Sequence, residues 1–318
     1  MNFIRRRQFV QSVGILSLAV LISFPIGCGP EDYQKPLQQF QDSSTVVINT
    51  ARAFLNNENT IEQDSVIDDV VFQRKPLNLP EIKKIEIISQ QEIEIRTKAL
   101  DALAEYTSNL AQLAHGKAGS AVGDQTKKVS DSLKTLAGDA KKLPATKSTF
   151  LDNPKFSGIA SAAASAIGDV AQLMVEHRAR REIEQSIESN DAAVTALIQQ
   201  ISDDATGSYL RQQAQLGAYG VQLSRDYQIE IGRESGDPIL LLGFAKTVKD
   251  YRLQESQLAS ANPAPAIEKM KKAHSALVAY VKSNKDPKTF AELKKAVQDF
   301  VSAAQPLGQA VQSLVSAS

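Results

Sequence analysis

The chain of 318 residues has no tryptophan, three histidines and one cysteine, Cys28. A single thiol excludes an intrachain disulfide and any zinc site built from several cysteines. Aromatic residues make up only 6 % of the chain. A core with so few rings is built from Ala, Leu, Ile and Val, which suits helix-on-helix packing better than a β-sandwich. Excess charge is missing too, since 36 basic groups balance 36 acidic ones. Among the first 28 residues Arg5, Arg6 and Arg7 are the only charges, so 33 basic and 36 acidic groups follow. A nucleic-acid binder needs a basic footprint, and this balance argues against one.

What is present is most distinctive at the start. Met1 to Arg7 is short and basic, and Phe9 to Ile26 is apolar, interrupted by Ser17, Ser23 and Pro25. That run falls short of the ~20 unbroken apolar residues of a spanning helix. Gly27-Cys28-Gly29-Pro30 follows, and polar sequence begins at once. A basic region, an apolar region and a small residue before a break form a secretory signal.

The break, Ile26-Gly27-Cys28, resembles a bacterial lipobox, with Pro25 where Leu is usual. The resemblance implies that residues 1–27 are a signal peptide and that Cys28 is lipidated as the first mature residue. Residues 28–36 would then be a tether holding the protein to the cell membrane. Gly29 stands where an Asp retention signal would sit. In a Gram-negative host this implies the outer membrane, on its periplasmic face. Arg6-Arg7-Gln8-Phe9-Val10 also resembles a twin-arginine export motif, with Arg5 and Gln11 departing from it. A plain basic region on the general export route is the other reading.

Residues 37–318 read as an all-α domain, an elongated antiparallel bundle with long helices. Leu37, Phe40, Val47, Ala51 and Phe54 supply a face for a first helix. Residues 56–80 break the pattern with paired asparagines, a run of acids and two prolines, so an irregular connection with at most one strand is expected there. From Pro80 the pattern turns helical, and Ile95, Ala99, Leu103, Tyr106, Leu110 and Leu113 recur at steps of three and four, an amphipathic stripe. Further helices are expected over Val122–Leu143, from Pro154 to Ser202 with the charged stretch Glu176–Glu182 as the place for a bend, and over Tyr209–Ile231. Three more follow, the last kinked at Pro306. Asn153-Pro154, Asp237-Pro238, Asn262-Pro263 and Asp286-Pro287 mark helix starts. The Asx oxygen can accept a free N–H, and proline lacks the one that would go unpaired. No repeat points to a solenoid.

Catalytic signatures are scarce. His115, His177 and His274 fit neither His-Glu-x-x-His nor the Glu-x-x-His of di-iron bundles. No metal ligand set, cofactor motif or nucleophile elbow is present. His115 precedes a glycine and suits a helix C-terminus. His274 lies on an apolar stripe and is expected at the core edge with one hydrogen bond. The densest charge cluster is His177 to Glu182, in which Arg178, Arg180 and Arg181 could grip an anion or a partner. The bland reading of the same cluster is a solvated face. Small residues from Ser157 to Gly168 allow close helix approach, in a bundle or in lipid. Residues 246–295 hold eleven Lys or Arg against five acids, while 182–204 hold six acids and no base. The expected function is a non-catalytic envelope lipoprotein whose bundle binds or braces a protein partner. A membrane-active protein resembling helical pore-forming toxins, and a small-ligand carrier, are the alternatives.

Overall fold

The computed structural model describes residues 34–73, 75–115, 130–131, 135, 156–175, 180–233, 238–283 and 286–317. Helices dominate them: α1 (Gln34–Asn57), α2 (Thr60–Phe72), α3 (Leu79–Ile82), α4 (Gln90–Ala114), α5 (Phe156–Val175), α6 (Arg180–Ile231), α7 (Pro238–Ser260), α8 (Ala264–Lys282) and α9 (Pro287–Ala317). No described residue is in a strand. The protein is an all-α multi-helix bundle.

The spine is α6, a helix of 52 residues and about 78 Å in length. Around its first half pack α1, α4, α5 and α8, and α9 lies on the far side of α1 and α8; together they form a body. Its second half carries α2 and the start of α7, which form a stalk. Helices joined by short turns run antiparallel: Lys269 of α8 meets Asp299 of α9, and Tyr280 meets Phe290. In contrast, α1 and α9 run parallel, because Phe40 stacks on Phe300 and Val46 meets Gly308.

The stripes seen in the sequence are the buried faces. Ala99, Leu103, Tyr106 and Leu110 of α4 are sealed, as are Leu293, Val297, Phe300 and Ala304 of α9. The few rings pair at crossings: Phe40 with Phe300 at 5.8 Å and Phe54 with Tyr209 at 6.0 Å between centroids. In the stalk, Gly220 is required by α7, because the Tyr251 ring stands where a Cβ would be. Two of the expected caps are visible. Asn262 accepts the N–H of Ala264 at 3.0 Å, and Asp286 accepts that of Lys288 at 3.1 Å. The other two, Asn153 and Asp237, lie outside the described residues.

Three expectations are corrected. Residues 56–80 are not an irregular connection, because α2 fills most of them. Its apolar pairs Val66-Ile67 and Val70-Val71 have helical spacing, and its polar residues bond to α6. Ser65 donates to Gln222 at 2.7 Å, and Tyr219 donates to Asp68. Next, Ser202 and Tyr209 belong to one helix rather than two, since α6 passes through Asp203–Ser208 without a break. Third, the helix expected from Pro80 starts at Gln90. A capping box starts it: Ser89 Oγ accepts the Glu92 N–H, while Glu92 accepts the Ser89 N–H at 2.8 Å. α9 is continuous through Pro306. The helix expected over Val122–Leu143 lies outside the described residues, apart from Ser130, Asp131 and Thr135, which are helical.

The contacts also order the two ends. The start of α1, the end of α8, the start of α9 and the region of Asp191 share the base. The end of α6 and the start of α7 form the apex. Forty residues of α6 separate Asp191 from Ile231, about 60 Å.

Candidate functional site

Cys28, the expected lipidation site, and Arg178 lie outside the described residues. Arg180 and Arg181 are the first two residues of α6, and their side chains also lie outside the description. His177 is likewise outside. His115 is exposed just past the end of α4, where its N–H bonds the Ala111 carbonyl. The small-residue segment packs inward: Ala160, Ala163, Ala164 and Ile167 are buried, and Ser130 donates to the Ala164 carbonyl at 2.6 Å.

His274 is deeper than expected. It is wholly buried between α4, α6 and α8 and shares one hydrogen bond, at 3.0 Å from Nε2 to the Tyr106 hydroxyl. Nδ1 lies 3.7 Å from the Asp191 carboxylate and makes no hydrogen bond. Burial lowers the pKa to about 4, against the opposing pull of Asp191. The imidazole is therefore neutral at physiological pH. Burial also pushes the Tyr106 phenol above its ordinary value. The pair is a neutral contact inside the core.

A polar seam joins body to stalk at the middle of α6. Arg96 of α4 is sealed and donates to Asp204 at 3.0 Å. Glu58, between α1 and α2, is fully buried and accepts from Ser208 at 2.7 Å and from Arg211. Gln212 donates to the Phe54 carbonyl at 2.6 Å. Burial raises the Asp204 carboxyl even against Arg96 beside it. Each carboxylate here is held by a structural partner, so the seam sets the register of α6 against α1, α2 and α4. The sequence carried a signal for it that was passed over: Arg96 adjoins Ile95 on the apolar stripe of α4, a position where a charge needs a buried partner.

Beside the seam a half-open cavity of about 390 Å³ lies where α1 ends against α6 and α9. Amide side chains of Asn49, Asn56, Asn57 and Gln212 surround it, with Arg52. Its apolar surface comes from Ala53, Phe54, Val311 and Leu314. Arg52 is committed to Asp101 and to Asn49. A smaller cleft of about 160 Å³ between α8 and α9 carries Lys269, Lys272 and Lys295 with Glu292 and Asp299. Two of those lysines are paired, Lys269 with Asp299 and Lys272 with Glu268. The basic and acidic segments meet in part within the fold, for Lys271 donates to Gln199 and Lys282 stands 3.9 Å from Asp191.

The stalk carries most of the exposed large aliphatics. Toward the apex Ile239 is 82 % exposed, Leu242 73 % and Val221 72 %, with Ile229, Ile231, Val71, Leu77 and Leu79; Leu253, Leu210 and Ile87 are exposed lower down. Among the described residues no helix is long and apolar enough to cross a membrane. No group of His, Cys, Asp and Glu among them is arranged to hold a metal. No protein-family model matches the chain, and neither curated proteins nor solved structures match it.

Proposed function

We propose that this is an exported, lipid-anchored and non-catalytic protein, held at the cell membrane through Cys28, whose helical rod presents its apex to a protein partner. The observation that carries this reading is the opposition of the two ends. The chain enters the fold at the base, with α1 starting at Gln34, and most of the exposed aliphatic side chains lie on the stalk, from Val221 to Ile231 on α6 about 45 to 60 Å away. Clustered exposed aliphatics mark surfaces that another molecule covers. A tether at one end and a sticky surface at the other are the parts of a spacer that holds a partner off the membrane.

Two measurements test it. Cys28→Ser should abolish labelling by a fatty-acid probe and release the protein from the membrane fraction; persistent labelling rejects the anchor. A photocrosslinking residue at position 242 should trap one discrete partner in cells, while the same residue at exposed Lys288 near the base should not. Equal or absent crosslinking at the two positions rejects the apex as the docking surface.

The small-ligand alternative has one observation in its favour, the amide-ringed cavity. Pore formation has less support, because the small-residue segment already packs one face, Ala160, Ala163, Ala164 and Ile167, against the body.

A further inference from the structure

We infer that the cavity between the ends of α1 and α9 and the middle of α6 is a binding site for a small neutral saccharide. The inference is independent of the anchor and of the apex.

Three observations define the ligand. The first is charge. Among the described lining residues Arg52 is the only ionic side chain, and it is already paired with Asp101. An anion would have to compete with that carboxylate, and a cation finds no carboxylate among the described lining residues. The ligand is uncharged. The second is hydrogen-bonding capacity. The side chains of Asn56 and Asn57, at the end of α1, make no hydrogen bond to another described residue. Asn49 spends its carbonyl oxygen on Arg52, which leaves its NH₂ group open. Each amide offers donors and an acceptor on neighbouring atoms, the combination that vicinal hydroxyls or an acetamido group require. The third is shape. Val311 and Leu314 of α9 add apolar surface to a lining whose Asn49, Asn56 and Asn57 amides come from α1. A pyranose has the matching asymmetry, with C–H groups on its face and hydroxyls around its rim. At about 390 Å³ the cavity holds one or two such rings. An extended peptide would need a longer groove.

Asn56 and Asn57 separate binding from folding. Nothing in the fold loses a partner when they are truncated, so Asn56→Ala and Asn57→Ala should leave the thermal midpoint where it is. Binding should suffer, since the ligand would lose its partners.

The experiment is saturation-transfer NMR on the full chain in detergent, with N-acetylglucosamine, its β-1,4-linked disaccharide and glucose as probes and inorganic phosphate as a competitor. The expected result is saturable transfer with affinity on the order of millimolar, strongest at the ring C–H protons. It should be weakened about tenfold or more by the double Asn56→Ala, Asn57→Ala variant at unchanged helicity. Phosphate should not displace the sugar. No transfer from any of the three sugars overturns the site, as does transfer that the double variant leaves unchanged. Displacement by phosphate overturns the neutral class. Any of these failures leaves the fatty-acid labelling and the crosslinking results standing.

Discussion

The body and the stalk share one helix and use it differently. In the body, α6 turns Val194, Leu197, Ile198, Ile201 and Ala205 toward its neighbours, and these side chains are sealed. In the stalk, its inner face continues as Leu216, Tyr219 and Leu223 but then takes up Asp226 and Glu230, also buried. The apolar content of the stalk is displaced outward. Val66, Ile67 and Val70 of α2 are half-buried, and Val221, Ile229, Ile231 and Leu242 face solvent. Tyr219 donates to Asp68, and Arg233 pairs with Glu230 while covering the Phe72 ring. A region held by polar links with aliphatics on its surface gains less from burial than one with a sealed core. The body therefore supplies the stability, and the stalk supplies the surface.

The largest test of that division is Phe300→Ala. The side chain is wholly buried against Phe40, and its loss should destabilise the protein by about 4 kcal/mol, read from denaturant unfolding. Native-state hydrogen exchange adds the contrast. Amides of α6 from Val194 to Ala205 should lose protection, while those from Val221 to Ile231 should change little, because they open locally before the body does. Uniform loss along α6 would show that the two regions unfold as one.

The division also separates what the sequence made legible from what it did not. The body helices could be read because their stripes are aliphatic at every turn, as in α4 from Ala99 to Leu110 and α9 from Leu293 to Leu307. Asn262 and Asp286 fixed two starts through short-range bonding. The stalk could not be read that way. Asp204 and Ser208 look like breakers in a one-dimensional pattern. They sit inside α6 because Arg96 and Glu58 satisfy them from 108 and 150 residues away. α2 has apolar residues on more than one side, so its stripe is blurred. The arginine cluster at Arg178, Arg180 and Arg181 drew the eye because its charges adjoin in sequence. The cavity was invisible because Asn49, Asn57, Gln212 and Val311 are gathered from three separate helices.

Acid should act on the body through His274. Its ordinary pKa of 6.5 falls to about 4 in the folded protein. Above pH 6.5 neither state carries the proton, and stability is independent of this group. Between pH 6.5 and 4 the unfolded chain takes up a proton that the folded one refuses, so stability falls as pH falls. The full effect is about 3 kcal/mol. Asp204, Asp64 and Asp68, whose carboxyls are raised by burial, act in the opposite sense, since protonation relieves them. His274→Gln isolates the first effect. Subtracting its stability curve from that of the wild type should leave a slope confined to that window. A flat difference would mean that the imidazole takes up its proton in the fold as readily as in the unfolded chain.

A smaller effect is expected where α7 re-enters the body. Asn262→Ala removes the side chain that caps α8 through the Ala264 N–H, at a cost of about 1 kcal/mol. The substitution should leave apex crosslinking untouched.

The smallest effect on stability should be the most informative about function. Leu242 is on the outside of α7 near the apex, and Leu242→Gln removes no buried contact. Its unfolding free energy should stay within about 0.5 kcal/mol of the wild type, as for most surface changes. A solvent-facing leucine kept only by chance would leave the partner yield in cells unchanged as well. If instead the apex is the docking surface, trapping from a photocrosslinker at exposed Leu253 on the same helix should fall sharply with no change in melting or membrane attachment. A large loss of stability would show that Leu242 belongs to the fold after all, and the contrast between body and stalk would then fail at its clearest point.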